Sequence, residues 1–179
     1  MNVVIDTNVL IAANGLSEQV KGDNQLICIN FLEDVKNHKG CVSVDSLNLI
    51  FDEYSNYCNH KGQPGVGDAF FKWLFDNQGY ETLCEKVMIT LDNERGLTEF
   101  PDDINLKGFD KSDRKFVAVA LNSQFNPLIY NATDSDWKIF NNLLLSHGVI
   151  INQLCPSLLS QYEEIEITPN KSTSSTDKF

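Results

Sequence analysis

A chain of 179 residues with 42% apolar side chains can bury one sizeable core and falls in the range of a single domain. Its formal net charge of −11 argues against a passive nucleic-acid binder, which grips phosphate through many Lys and Arg contacts, but less against an enzyme whose acids gather where cations bind. No stretch approaches the roughly 18 consecutive apolar residues of a membrane helix and no secretory signal opens the chain, so a soluble, cytoplasmic protein is expected.

Val3 to Ile5 is a β-branched apolar run closed by Asp-Thr-Asn, which predicts a short buried strand stopped by loop-forming residues. Leu26, Ile27, Ile29, Phe31, Leu32 and Val35 recur at helical spacing before a stop at Asn37 to Gly40. Cys41 to Val44 predicts a second strand, and Asp45-Ser46 offers a cap for a helix through Leu47, Ile50, Phe51 and Tyr54. Gly62, Pro64, Gly65 and Gly67 mark a loop, and Asp68 is placed as the cap of a helix through Phe70, Phe71, Leu74 and Phe75, with Phe70 and Trp73 read as core and not as stacking platforms. These glycines lack the Lys-Ser or Lys-Thr of a phosphate cradle, which leaves plain turn chemistry.

Val87 to Leu91 is predicted as the third strand, and Asp92 to Phe109 as a long irregular loop placed as a flap beside an active site. Ser112 or Asp113 starts a helix with Phe116, Val117, Val119, Ala120 and Leu121 on its buried side, followed by a fourth strand over Leu128 to Tyr130. A polar turn leads into one helix with Trp137, Ile139, Phe140, Leu143 and Leu144, and then a strand over Val149 to Ile151. The domain is drawn over 1–168, with 169–179 a polar, disordered tail. Cys28, Cys41, Cys58, Cys84 and Cys155 form no CxxC pair and read as reduced core thiols, and the sequons at Asn131 and Asn170 carry no weight inside a cell.

Alternating strands and helices imply an α/β fold, a three-layer α/β/α sandwich around a parallel sheet of about five strands. Ligands of such sheets bind beyond the carboxyl ends of the strands. Asp6 stands where the first strand ends, Asp134 and Asp136 just after the fourth, Asp113 at the start of the helix feeding it, and Glu53 about two turns into the helix after the second strand. Either Glu53 or its neighbour Asp52 is the inward-facing acid of that helix. Crowded carboxylates repel one another and call for a divalent cation, and oxygen-only ligands select Mg2+ or Mn2+. Such an ion suits phosphodiester hydrolysis.

The segment Val4-Ile5-Asp6-Thr7-Asn8-Val9-Leu10-Ile11 resembles the opening signature of PIN domains. The later segments agree in order: Glu53 after the second strand, Asp113 ahead of Phe116 to Leu121, and Asn131 to Trp137 around Asp134. The resemblance covers residues 2–152, weakest over 60–108. It implies a Mg2+- or Mn2+-dependent ribonuclease, a class that includes toxins of toxin–antitoxin pairs. Asp6, Glu53, Asp113 and Asp134 become metal-binding acids, with Asp136 an additional ligand and Thr7, Asn8, Asp110 and Thr133 in support. RNA is the implied substrate, and an antitoxin or other regulatory protein and a second copy are the implied partners. The chain departs from the pattern in Arg114 and Lys115, which stand where small or apolar residues are usual. With Lys111 these are the residues to expect against RNA, ahead of Lys21, Lys61 and Lys107. Two other classes compete: a catalytically silent PIN-like scaffold, and a haloacid-dehalogenase-type phosphatase, which wants an Asp where Asn8 stands.

Overall fold

A computed structural model describes residues 1–166. The tail from residue 169, with the sequon at Asn170, and the boundary drawn at 168 lie outside the described residues. Five strands, β1 (Asn2–Ile5), β2 (Cys41–Asp45), β3 (Cys84–Val87), β6 (Leu128–Asn131) and β7 (Ile151–Gln153), form one sheet in the order β3-β2-β1-β6-β7 with every neighbouring pair parallel. Helices cover both faces, so the α/β/α sandwich expected from the alternation is the architecture of the chain. β1 is central and its Val3, Val4 and Ile5 are fully buried, which is why the opening run is apolar throughout and does not alternate. Among the described residues no helix is long and apolar enough to cross a membrane.

The first helix is one the apolar pattern concealed. Asp6 does end β1, but no loop follows: Thr7–Ala13 is helix α1, with Asp6 as its N-cap accepting a hydrogen bond from the Asn8 amide. The chain continues through α2 (Asp23–Asn37), β2, α3 (Leu49–Tyr57) and α4 (Val66–Asp76). α3 begins later than expected, yet Asp45 caps it, accepting from the amides of Leu49 and Ile50 at 2.8 Å each. Asp68 is not the cap of α4 but sits at its third position and reaches back to the Gly65 amide. Gly67 is explained by contact: a Cβ there would lie 2.3 Å from the Leu10 carbonyl oxygen, so α4 packs on α1 only because that position is bare. Phe70, Phe71 and Leu74 are buried and Trp73 lies partly buried against the core. Each fully buried large apolar side chain contributes about 1.5–3 kcal/mol.

β3 occupies Cys84–Val87, not Val87 to Leu91. The expected loop of 92–109 contains a small hairpin, β4 (Leu91–Asp92) with β5 (Gly96–Leu97), and a 3-10 turn at Ile104–Leu106. α5 (Arg114–Asn122) lies against β1, β2 and β6, and the helix expected after β6 is two, α6 (Asp136–Ile139) and α7 (Asn141–Ser146), parted at Phe140. β7 begins two residues later than predicted, at Ile151. All five cysteines are free and buried.

Candidate metal centre

The strand order reverses direction between β1 and β6, the point beyond whose carboxyl ends sheets of this kind form a ligand crevice. Asp6 leaves β1 on one side of it and Asp134 follows β6 on the other. Asp113, the residue before α5, completes the set: one carboxylate oxygen from each of Asp6, Asp113 and Asp134 lies within 4.8 Å of the others. Asp6 and Asp113 are buried and Asp134 is half-buried.

Asp6 and Asp134 are held by donors around them. Asp6 Oδ1 accepts from the Asn8 amide at 2.8 Å and Oδ2 from Trp137 Nε1 at 2.5 Å. Asp134 Oδ1 accepts from the Asp136 amide at 2.9 Å. The loop carrying Asp134 is fastened by Asn131, which is fully buried: its Oδ1 accepts from the Asp134 amide and Asn8 Nδ2, and its Nδ2 donates to the Asp134 carbonyl and Gln153 Oε1. Asn8 Oδ1 in turn accepts from the Ala132 amide at 2.8 Å, so the polar residues beside the first acid tie its helix to the loop of the third. Asp113 is the exception. Its Oδ1 has a long bond of 3.4 Å from Ser112 Oγ, and its Oδ2 is buried with no hydrogen-bond partner among the described residues.

The electrostatics follow from this crowding. Burial raises Asp6 well above the usual carboxylate range, against the bonds from Asn8 and Trp137, and the charges of Asp134 and Glu53 push the same way. Asp113 is raised by burial first and then by Asp6, Asp134 and Asp110, with Lys115 opposing. Burial also raises Asp134. A buried carboxylate oxygen with no donor costs free energy unless a cation meets it, and three oxygen-donor side chains converging on one point suit a hard divalent ion. The residues present therefore fit Mg2+ or Mn2+.

Glu53, rather than the exposed Asp52, faces this region, but it stands outside the converging group. Its Oε1 accepts from Thr7 Oγ1 and its Oε2 from Lys115 Nζ at 2.5 Å. Asp136 is likewise outside the group; its Oδ2 accepts from the amide of exposed Asp110 at 3.2 Å. Thr133 is half-buried, with no side-chain bond to the acids among the described residues. Lys111 is exposed and, with Glu53, Ser112 and Lys115, lines a cavity of about 300 Å3. Arg114 is no surface contact for RNA: it is 6% exposed, and its guanidinium donates to the carbonyls of Arg95, Lys107 and Phe109 and stacks on Phe100. Trp137 and Asn131 were invisible as site residues because nothing in their spacing separates an indole or amide that supports an acid from one that fills a core. The proximity of Asn131 and Trp137 to Asp134 in sequence was the available signal.

Comparison of the chain with protein-family models, with curated proteins and with solved structures finds no match.

Proposed function

We propose that the protein is a divalent-cation-dependent ribonuclease of the PIN kind, hydrolysing phosphodiester bonds of single-stranded RNA at the crevice between β1 and β6. The observation that carries this reading is the meeting of Asp6, Asp113 and Asp134, from three separate segments, within 4.8 Å at the crevice, with a buried Asp113 oxygen left without a donor. The resemblance of Val4 to Ile11 to a PIN opening supports it independently.

Asp6, Asp113 and Asp134 would hold the ion. A bound Mg2+ or Mn2+ would supply Lewis-acid chemistry there, lowering the pKa of a water and offsetting charge on phosphate oxygens. The chain supplies the positions: Trp137 and the Asn8 amide fix both oxygens of Asp6, Asn131 fixes the loop of Asp134, and Thr7 with Lys115 fixes Glu53 at the rim. Lys111 offers an exposed ammonium beside Glu53 for a phosphate of the entering strand.

Labelled single-stranded RNA incubated with Mg2+ or Mn2+ tests the reading, with Asp6→Asn as the control. The variant keeps the cap of α1, since Asn serves as well as Asp at that position. Cleavage that needs the metal and disappears in the variant is expected. Metal binding without cleavage of any RNA would favour a silent scaffold, and turnover of a small phosphate ester in place of RNA would favour the phosphatase.

A further inference from the structure

Of the basic residues around α5, Lys115 is the one turned into the acidic centre. Its side chain is 8% exposed, its ammonium donates to Glu53 Oε2 at 2.5 Å and to the Ser112 carbonyl, and it lies 4.4 Å from the centre of the Phe116 ring. The remaining Glu53 oxygen is taken by Thr7 Oγ1. An ammonium this deeply buried costs several kcal/mol unless paired, and Glu53 is its pair. The acids at the crevice therefore fall into two kinds. Asp6, Asp113 and Asp134 converge with one oxygen lacking any donor, whereas Glu53 is already neutralised by a cation tethered to the chain.

Phosphodiester-cleaving centres with two ions set them about 3.5–4 Å apart and need carboxylate oxygens for both. Of the acids beside the group, Asp136 has Oδ2 taken by the Asp110 amide, exposed Asp110 has Oδ1 taken by the Ser112 amide, and Glu53, which faces the group from α3, has its Oε2 occupied by the ammonium. Resting on the reading of the three-acid group as a divalent-ion centre, we infer that Lys115 serves as the second cation of this site. The chain binds a single divalent ion on Asp6, Asp113 and Asp134, and the ammonium takes the place of the other. Lysine is suited to this, being a compact, strongly hydrated point charge on a flexible stem. Glu53 is then a residue that positions the ammonium, not a metal ligand.

Mn2+ binding to the full chain decides the matter, counted by titration calorimetry and read by electron paramagnetic resonance. The native protein is expected to bind one Mn2+ with the hyperfine-resolved spectrum of an isolated ion. Lys115→Met keeps the stem, removes the charge and frees Glu53; it is expected to bind two ions with an exchange-coupled spectrum. Lys115→Arg holds the count at one, and adding Glu53→Gln to Lys115→Met restores it to one. Glu53→Gln alone leaves the count at one and the affinity within about threefold, whereas Asp113→Asn weakens binding by at least about tenfold. Two ions on the native chain, one ion on a folded Lys115→Met, or a tenfold loss in Glu53→Gln overturns the inference. The native count and Glu53→Gln decide even where Lys115→Met does not fold. A native chain that binds no Mn2+ removes the divalent-ion centre itself, whereas a native chain that binds two removes only the role of Lys115.

Discussion

Asp68 and Asp113 are buried to nearly the same degree, 5% and 6% exposed, and their surroundings could hardly differ more. Asp68 accepts from Asn14 Nδ2 and the amides of Asn59 and Gly65, all between 2.8 and 2.9 Å, and so joins α1, the loop after α3 and the start of α4. Glu85 belongs to the same class, with Ser43 Oγ, Ser123 Oγ and the Gln124 amide around it. Asp113 has other carboxylates for neighbours and an oxygen with no donor. Charge buried among hydrogen-bond donors holds a fold together; charge buried among its own kind strains it and needs a ligand from outside.

The contrast is broken most directly by activity. Asp113→Asn should lower the single-turnover rate of RNA cleavage by on the order of 10^3-fold, about 4 kcal/mol of barrier, while Asp68→Asn stays within about threefold of native. Comparable losses in both would show that the two acids act alike. In denaturant unfolding the ranking reverses: Asp68→Asn turns an amide towards donors that need an acceptor and should cost about 2–3 kcal/mol.

A subtler prediction concerns the metal-free protein. Asp6, Asp113 and Asp134 have folded-state pKa values raised by burial and by one another, above the value of about 4 they have when unfolded. The stability from their tighter hold on protons is complete below the unfolded value and is lost as pH rises through the raised ones. With a chelator present, the melting temperature should therefore fall between about pH 5 and about pH 8, and saturating Mn2+ should recover it. Asp113→Asn in chelator at neutral pH should be more stable than native by about 1–2 kcal/mol, opposite in sign to Asp68→Asn. A flat metal-free profile, or a destabilised Asp113→Asn, would show that the crowding carries no free-energy cost. The smallest effect belongs to Trp137→Phe, which removes the indole donor to Asp6 and should weaken Mn2+ binding about tenfold, read by calorimetry.

The acids were legible in the sequence because each sits where a short apolar run gives way to polar residues, and the topology of a parallel sheet sends such points to one edge. Apolar continuity hid α1: Val9 to Ala13 carries on the hydrophobic character of β1, and only the capping role of Asp6 marks the change of period. β3 was misplaced for the opposite reason. Cys84-Glu85-Lys86-Val87 is half polar, and Glu85 belongs in a buried edge strand only because Ser43 on the neighbouring strand and Ser123 at the end of α5 donate to it. No local pattern contains a partner 42 residues away. Charge and a place beside Asp113 mark Arg114 and Lys115 as RNA contacts, and burial reverses both: each is 6% exposed, Arg114 bound to carbonyls and Lys115 to Glu53 and the Ser112 carbonyl.

Arg114 sets one more property of the crevice. Its guanidinium fastens carbonyls at Arg95, Lys107 and Phe109 to the first turn of α5, one residue from Asp113, so the segment between β3 and α5, placed by its sequence as a flap beside the site, is tied to that helix. On the ribonuclease reading, a strand reaching Asp113 would pass a wall whose position these three hydrogen bonds fix to the helix that carries the acid.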